Sequence, residues 1–412
     1  MKYLLYSVVL SFCLFSASCS TPVHPSMEDL AAMKTLTIRG DGNYIFTNEA
    51  NAMVEMEIEP EAGTLTAGRW NDLENWDFWH HLIEESSYQD YQEYWEMHPK
   101  QRYEVKVLDA LGQPASDIKV QLNDPFAGVL WEARTNYKGI ATLWAQPFVR
   151  TQEPLQGLEL ALVHKKKKTK IGPAIPFEEG ITEWQLSPKV STGMNKLEVL
   201  FVVDATGSME DEINYLKTEL QDVVSSYELL QPETELRLGS IFYRDYEGKA
   251  DYLTRTANLS NDFQATFDFI NQQKASGGGD FAEAVEAALS EAVEGQHWSA
   301  EKATRLVFLL LDAPAHHNIK SLEQLQATLK IAAANGIRII PIASSGVDKE
   351  TEFLMRFFSI LTGGNYVFIT DHSGVGKGHM EPTIGDYRVE YLNDLLLNLL
   401  QEYTAPSVNT AQ

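Results

Sequence analysis

The sequence has 412 residues, which is enough for two or three domains with sizeable cores. Lysine and arginine total 33 and aspartate and glutamate total 58, so the formal net charge is −25. This acidic balance argues against nucleic acids and anionic lipid surfaces as primary partners, and it is compatible with the binding of divalent cations.

The first 18 residues have the pattern of a signal peptide. Lys2 gives a short positive start, and the apolar run from 3 to 15 is too short to span a bilayer as a stable helix. Small residues follow at 16–18, as before a signal cleavage site. No other segment could span a membrane, so any anchoring is expected to be by lipid alone.

The chain has two cysteines, Cys13 inside this apolar run and Cys19 directly after the small residues. The second resembles the lipid-attachment site of a bacterial lipoprotein, although Ser16 stands where that motif usually has leucine. The alternative is plain secretion with a spare thiol near the new terminus. We expect an outer-membrane lipoprotein, with the periplasmic or surface face left open, and a polar tether over residues 19–33.

Residues 34–100 form a region rich in tryptophan. Loose alternation over 34–62 suggests short strands, and four of the eight tryptophans lie between 70 and 95. Trp76, Trp79 and Ile83 share one face of a predicted helix. An aromatic platform for carbohydrate is conceivable, but a face that packs onto the next domain is the favoured interpretation.

Residues 101–186 are predicted to be a small β-sandwich, because alternating apolar runs are separated by turn residues. The pattern is similar to carboxypeptidase regulatory-like, immunoglobulin-type modules, which are generally spacers or interaction domains. The four lysines at 165–168 are interpreted as a protected sheet edge or a solvated hairpin. Residues 187–195 have linker composition.

From 196 to 404 helix and strand patterns alternate, which indicates an open α/β fold with a doubly wound, mostly parallel, Rossmann-like sheet. Residues 405–412 are a short tail. The predicted strands are 197–203, 236–243, 306–312, 337–342 and 366–369, and the predicted helices are 210–227, 263–273, 281–293, 322–335, 349–362 and 387–403.

Oxygen-bearing side chains cluster at strand ends in this region. Asp204, Thr206 and Ser208 follow the first strand at alternate positions, and Asp312 ends the third. Asp280 follows three glycines and precedes an alanine-rich helix. Carboxylates at the carboxyl edge of one parallel sheet repel one another, so a cation is expected between them.

These residues resemble a von Willebrand factor type A domain. The metal-ion-dependent adhesion site of that family carries Asp-x-Ser-x-Ser, a threonine on a second loop and an aspartate on a third. Here Thr206 replaces the first serine and Asp280 stands at the threonine position. A subgroup is indicated by DATGSM at 204–209, FYRD at 242–245, GGGD at 277–280 and DAPAH at 312–316.

The resemblance implies a metal held by Asp204, Thr206, Ser208, Asp280 and Asp312. All of these are hard oxygen donors, which select Mg²⁺, Ca²⁺ or Mn²⁺. In adhesion domains a partner's carboxylate is typically a further ligand, so a protein partner with an acidic side chain is implied. The third carboxylate, Asp280, weakens attraction for an anion, and a purely structural metal therefore stays an alternative.

An enzyme is not expected. The sequence has no G-x-S-x-G and no H-E-x-x-H, and the glycine-rich segment 374–378 fails the P-loop spacing. His316, His317 and His379 are interpreted as residues that fix loops by hydrogen bonds, and Asp245 as a second-shell group or a surface ion pair. The function expected is binding or adhesion at the cell envelope. A structural envelope component is the alternative.

Overall fold

The computed structural model describes residues 61–150, 153–164, 167–186, 196–246, 251–279, 281–300, 302–376 and 378–404, and before them only three short strands. The predicted signal peptide, Cys19, the tether 19–33, the linker 187–195, Asp280 and the tail 405–412 lie outside the described residues. The chain divides into two compact units, residues 1–58 and 59–412.

The first unit contains a three-stranded antiparallel sheet in the order β1-β2-β3. The short strands expected over residues 34–62 are therefore present. Their bounds are Thr35–Ile38 (β1), Tyr44–Thr47 (β2) and Met53–Met56 (β3).

The second unit is built around an eight-stranded sheet whose five central strands are parallel. Antiparallel strands flank them on both sides, so the sheet is mixed although mostly parallel. The order across the sheet is β14 (Thr254–Ser260), β13 (Glu235–Tyr243), β12 (Lys196–Asp204), β15 (Thr304–Leu311), β16 (Ile337–Ala343), β17 (Tyr366–Thr370), β4 (Thr66–Trp70) and β18 (Glu390–Tyr391).

Helices cover both faces of this sheet, because its central strands are apolar on both sides. One apolar core joins alternate residues of β12 to the third and last helices, and the other core lies on the opposite face. The helices are α1 (Trp76–Leu82), α2 (Ser86–Tyr94), α3 (Ile213–Leu230), α4 (Phe263–Gln272), α5 (Val285–Val293), α6 (Ile319–Asn335), α7 (Lys349–Thr362) and α8 (Leu392–Thr404).

The tryptophan-rich segment is part of this fold. Its strand β4 pairs with β17 across roughly three hundred residues of sequence, with Gly68 opposite Phe368. Trp79 of α1 stacks on Phe353 of α7 with 6.0 Å between ring centroids, and Trp76 contacts Trp144 at 5.6 Å. The shared helical face thus packs onto neighbouring elements, as its spacing predicts.

Residues 102–185 form two further sheets that share an apolar core. Strand β10 carries Lys167 and Lys168 at the outer side of the four-stranded sheet, in agreement with the predicted protected edge. The strands are β5 (Arg102–Leu108), β6 (Lys119–Asp124), β7 (Gly128–Arg134), β8 (Ile140–Trp144), β9 (Glu159–His164), β10 (Lys167–Pro173) and β11 (Thr182–Gln185).

Some predicted helix starts are wrong. Helix α5 begins at Val285 rather than 281, because Glu283 forms a parallel bridge with Ala315. Helix α8 begins at Leu392 rather than 387, because residues 390–391 pair with β4. Residues 207–211 form a 3₁₀ turn before α3 begins at Ile213, and strand β14 was not predicted.

In the described part of the chain, no helix combines the length and the apolar character needed to cross a bilayer.

Candidate metal site at the carboxyl edge of the sheet

The carboxyl ends of β12, β13 and β15 bring together four buried carboxyl groups from loops far apart in sequence. We call them the acidic cluster: Asp204, Asp245, Glu283 and Asp312. Each is at most 3% exposed. Charges buried in this way are costly unless they are paired or bound to a metal.

The loop after β12 is held in a defined shape. Asp204 accepts hydrogen bonds through Oδ1 from the Thr206 backbone N at 2.8 Å and from the Thr206 Oγ1 at 2.7 Å. The hydroxyl oxygens of Thr206 and Ser208 lie 3.1 Å apart. The buried Asp204 Oδ2 has no hydrogen-bond partner within 3.5 Å among the residues that the structure describes, although the Tyr243 side chain interacts with the same carboxyl group. Oδ1 of this carboxylate is therefore held by Thr206, and Oδ2 is not held in the same way.

Two neighbouring loops support this arrangement. Arg244 of the FYRD segment donates from Nε to the Ala205 carbonyl at 3.2 Å and from Nη2 to the Lys274 carbonyl at 2.8 Å. Gly207 N donates to the Gly277 carbonyl at 3.1 Å, which joins the loop after β12 to the glycine-rich loop. The arginine is thus a positioning residue and not a surface group.

Glycine is required at position 278 for two reasons. Its φ is +85°, in the left-handed region that other residues rarely adopt. A Cβ there would lie 3.2 Å from Glu283 Oε1 and 3.4 Å from Thr206 Cβ. The close approach places Glu283 beside the loop that follows Asp204.

Glu283 is the site residue that the sequence analysis missed. Its backbone N donates to the Pro314 carbonyl at 2.9 Å, so it lies beside the loop that follows β15. Burial, and then the charges of Asp204, Asp245 and Asp312, raise the pKa of Glu283 to about 9. The available signal was its place three residues after Asp280, ahead of an alanine-rich helix.

The carboxyl groups also perturb one another. Burial, and then the charge of Asp312, raise the pKa of Asp204 to about 7, although the hydrogen bonds from Thr206 oppose this rise. Tyr243 is fully buried beside them, and burial together with Asp204 and Asp312 raises its pKa further above its ordinary value. A divalent cation would reverse the repulsion that causes these shifts.

The predicted ligands are only partly brought together within the described residues. Asp204, Thr206 and Asp312 are buried at this edge, and Ser208 is exposed on its rim. Asp280 lies outside the described residues, between Gly279 and Phe281. In the described part of the chain, no three His, Cys, Asp or Glu side chains are grouped so that they could hold a metal ion.

The donor chemistry nevertheless fits a hard divalent cation. Carboxylate and hydroxyl oxygens are the ligands that Mg²⁺, Ca²⁺ and Mn²⁺ prefer, and Mg²⁺ retains several waters. The uncompensated Asp204 Oδ2 is the geometric observation that such an ion would explain.

The three histidines fix loops, as expected. His316 Nε2 lies 2.6 Å from Asp245 Oδ1, and His317 Nε2 lies 2.7 Å from the Tyr94 carbonyl oxygen. His379 lies between Glu212 and Asp371, at 2.8 Å from an oxygen of each. These two carboxylates raise the pKa of His379 although burial opposes the rise.

The loop after β16, which contains Ser344, Ser345 and Gly346, borders the same rim. Its Gly346 is close to Asp312, since a Cβ built there would lie 3.7 Å from the Asp312 Cβ. The loop is tied to the start of α3, because Ser345 N donates to the buried Glu212 carboxylate at 3.2 Å.

Comparison with known proteins identifies this part of the chain. Residues 198–376 match the family described as von Willebrand factor type A domain, so the chain contains such a domain. Two curated proteins are 26% identical to it: the alpha-protein kinase vwkA of Dictyostelium discoideum over 152 residues, and the putative ariadne-like RING finger protein R811 of Acanthamoeba polyphaga mimivirus over 189 residues.

These alignments cover 37% and 42% of this chain but only 23% and 18% of the relatives, so the chain spans about a fifth of their length. A solved structure of an aerotolerance-related membrane protein from Bacteroides fragilis, with multiple mutations to serines, is similar over 50% of this chain and 98% of its own. Its identity is 13% and its TM-score 0.32.

Proposed function

Starting from the von Willebrand factor type A domain at 198–376, we propose that this protein binds a protein partner through a divalent cation held at the acidic cluster. Domains of this type commonly mediate interactions between proteins. The observation that carries the proposal is the buried Asp204 Oδ2, which has no partner among the described residues and lies in a cluster of carboxyl groups.

In this proposal Asp204, Thr206, Ser208, Asp280 and Asp312 hold Mg²⁺, or Ca²⁺ or Mn²⁺, and Glu283 lies beside them. The bound ion supplies a positive charge that a partner's oxygen ligand can reach from the exposed rim. The chain's own residues hold the donors in place: Arg244 fixes the loop after β12, and Gly278 allows the glycine-rich loop to come close.

The rim also carries apolar side chains that suit a protein partner. Tyr246, Phe281 and Ile319 are each more than half exposed; Tyr246 follows Asp245, Phe281 follows Asp280, and Ile319 begins helix α6 after the loop that carries Asp312. Aromatic residues around a polar centre are typical of protein interfaces. We infer a partner surface that combines an oxygen ligand with apolar contacts.

The proposal also includes the attachment of the protein to a membrane of the cell envelope. Acylation of Cys19 would tether the domain to a membrane, and the segment 101–186 would act as a spacer. Replacement of Cys19 by serine should then release the protein into the soluble periplasm or medium. If the variant stays in the membrane fraction, the lipoprotein assignment is wrong.

Partner capture from envelope extracts tests the central claim. Binding should need Mg²⁺, be lost in chelator, and be lost in Asp312→Asn. The matched control is Asp268→Asn, which removes the same charge from an exposed position on α4. Capture that is equal with Mg²⁺ and with chelator would favour the alternative, a structural envelope component in which the metal only stabilises the fold.

A further inference from the structure

A cleft of about 280 Å³ lies where three parts of the second unit meet. The tryptophan-rich segment contributes Leu73, the β-sandwich region contributes Tyr137 and Ile140, and the α/β region contributes Arg338 and Tyr403. Arg338 is the second residue of β16, so the cleft lies at the amino edge of the parallel strands. This is the opposite edge from the acidic cluster. We call it the arginine cleft.

Arg338 is a buried cation without an ion-pair partner among the described residues. The residue is 6% exposed, and its Nη1 donates one hydrogen bond of 3.3 Å to the Gly336 carbonyl. Among the described residues no carboxylate lies within ion-pair distance of its guanidinium, and the ring of Tyr403 lies 5.9 Å away. Burial lowers the pKa of Arg338 from its ordinary value.

The nearest carboxylates are already engaged by other groups. Asp117 pairs with Arg134 at 3.2 Å and with Arg305 at 3.0 Å. Glu402 accepts hydrogen bonds from the Tyr137 hydroxyl at 2.6 Å and from Arg69 at 2.8 Å. Within the described residues, no carboxylate is therefore left to form an ion pair with Arg338. Since buried charges in proteins are normally paired, an external anion is the complement that this site lacks.

The lining selects the kind of anion. Four cationic side chains (Arg102, Arg134, Lys138 and Arg338) face three carboxylates (Glu74, Glu104 and Glu402), which leaves a net charge of +1. One positive charge suits a monoanion, whereas the carboxylates would repel a phosphate dianion. The planar fork of an arginine matches a carboxylate through two parallel hydrogen bonds.

The rest of the lining is apolar enough to hold a hydrocarbon group, with Leu73, Ile140, Phe177, Ile181 and Leu361 around the cleft. Its volume is close to the lower end of the range for small-molecule sites. We propose that the arginine cleft binds a small organic monocarboxylate, with the carboxylate on Arg338 and an aromatic or aliphatic group against these residues.

Benzoate is a suitable probe, because it combines one carboxylate with one ring. We expect saturable binding of benzoate to the full chain by calorimetry in chelator, so that the result is independent of the metal site. Arg338→Gln should weaken binding at least tenfold, as expected for loss of a hydrogen-bonded charged group. The neutral analogue benzamide should bind at least tenfold more weakly than benzoate.

Arg388→Gln is the control, since it removes the same charge from a side chain that is 85% exposed. It should bind benzoate as the parent protein does. Thermal unfolding without benzoate separates binding from folding: Arg338→Gln should melt no lower than the parent, because a buried unpaired charge is lost. Benzoate should raise the melting temperature of the parent and of Arg388→Gln, and it should raise that of Arg338→Gln much less.

Three results would overturn the proposal. They are equal benzoate affinity in Arg338→Gln, equal affinity for benzamide, and the absence of saturable benzoate binding. Tighter binding of inorganic phosphate than of benzoate would assign the cleft to a different class of anion and would also overturn it.

Discussion

The two edges of the eight-stranded sheet have opposite charge imbalances. At the carboxyl edge, the acidic cluster buries four carboxyl groups, and His316 lies in ion-pair contact with one of them, Asp245. At the amino edge, Arg338 is buried, and no carboxylate of the described residues pairs with it. Within the described residues, the sheet thus buries an excess of carboxyl groups at one edge and an arginine outside ion-pair distance of a carboxylate at the other.

A third buried charge shows what a balanced centre looks like. Arg356 of α7 binds Asp72 through two hydrogen bonds of 3.0 and 2.6 Å, and it lies 3.7 Å from Glu352. All three side chains are fully buried. Here the chain supplies both signs of charge, which is the pattern of a structural ion pair. The contrast is the basis on which we propose binding sites at the two unbalanced edges.

The largest expected effect is the loss of stability when the buried ion pair between Arg356 and Asp72 is broken. Asp72→Ala removes the hydrogen bonds and the ion pair that Asp72 makes with Arg356, so the guanidinium stays buried with less negative charge beside it. The variant also loses this contact between the tryptophan-rich segment and α7. Removal of one partner of a buried pair typically costs about 3–5 kcal/mol in the free energy of unfolding. Chemical denaturation measures this loss. Asp90→Ala, at an exposed position on α2, should change stability by less than about 0.5 kcal/mol. Similar losses in the two variants would contradict a structural role for the pair.

The next effect concerns the carboxyl edge. Binding of Mg²⁺ to the native state should stabilise it by about 2.7 kcal/mol at a hundredfold excess over the dissociation constant. Asp312→Asn should abolish this gain and should not lower stability in chelator, because it removes repulsion from Asp204. Asp268→Asn should keep the gain. Identical melting curves of the parent protein with Mg²⁺ and with chelator would exclude the metal site.

The acidic cluster should also show a characteristic pH dependence in chelator. The pKa of Glu283 is raised from 4.5 to about 9, so the folded state holds one more proton than the unfolded state between these values. The free energy of unfolding should therefore fall as pH rises through this window, by at most about 1.4 kcal/mol per pH unit for one proton. Asp204 adds to the fall in the free energy of unfolding between pH 3.8 and about pH 7.

Glu283→Gln should make this decline shallower, most clearly above about pH 7, where Glu283 still contributes and Asp204 no longer does. Urea unfolding at a series of pH values measures the slope. Glu228→Gln is the matched control, because Glu228 is exposed on α3 and should leave the slope unchanged. Equal slopes in the parent protein and Glu283→Gln would show that Glu283 is not protonated in the fold.

Local sequence pattern was sufficient for much of the carboxyl edge. Asp204 and Asp312 end apolar strands, and parallel strands bring their carboxyl ends together, so their proximity follows from the pattern alone. Glu283 could not be placed in this way. Its position depends on the bridge to Ala315 and on the close approach of Gly278, which are contacts between separate loops.

The arginine cleft at the amino edge could not be predicted from the sequence for the same reason. Arg338 lies inside an apolar run that correctly predicts strand β16, but the cleft needs walls from three segments far apart in the chain. Strand β4 pairs with β17 across about three hundred residues, and no local periodicity contains that pairing. Both the cleft and the pairing of β4 with β17 therefore depend on contacts between segments that are far apart in the sequence.

The smallest expected effect distinguishes the contributions of two positive charges in the arginine cleft, those of Lys138 and Arg338. Lys138 also lines it, but its side chain is 44% exposed and its Nζ already pairs with Glu74 at 2.8 Å. Water screens such a charge, and exposed ion pairs contribute about 0–1 kcal/mol. Lys138→Met should therefore weaken benzoate binding by less than about threefold, against at least tenfold for Arg338→Gln. Calorimetry on both variants gives the ratio of their dissociation constants for benzoate directly. If Lys138→Met weakened binding as much as Arg338→Gln does, the general positive charge of the cleft, rather than the buried guanidinium, would determine its affinity.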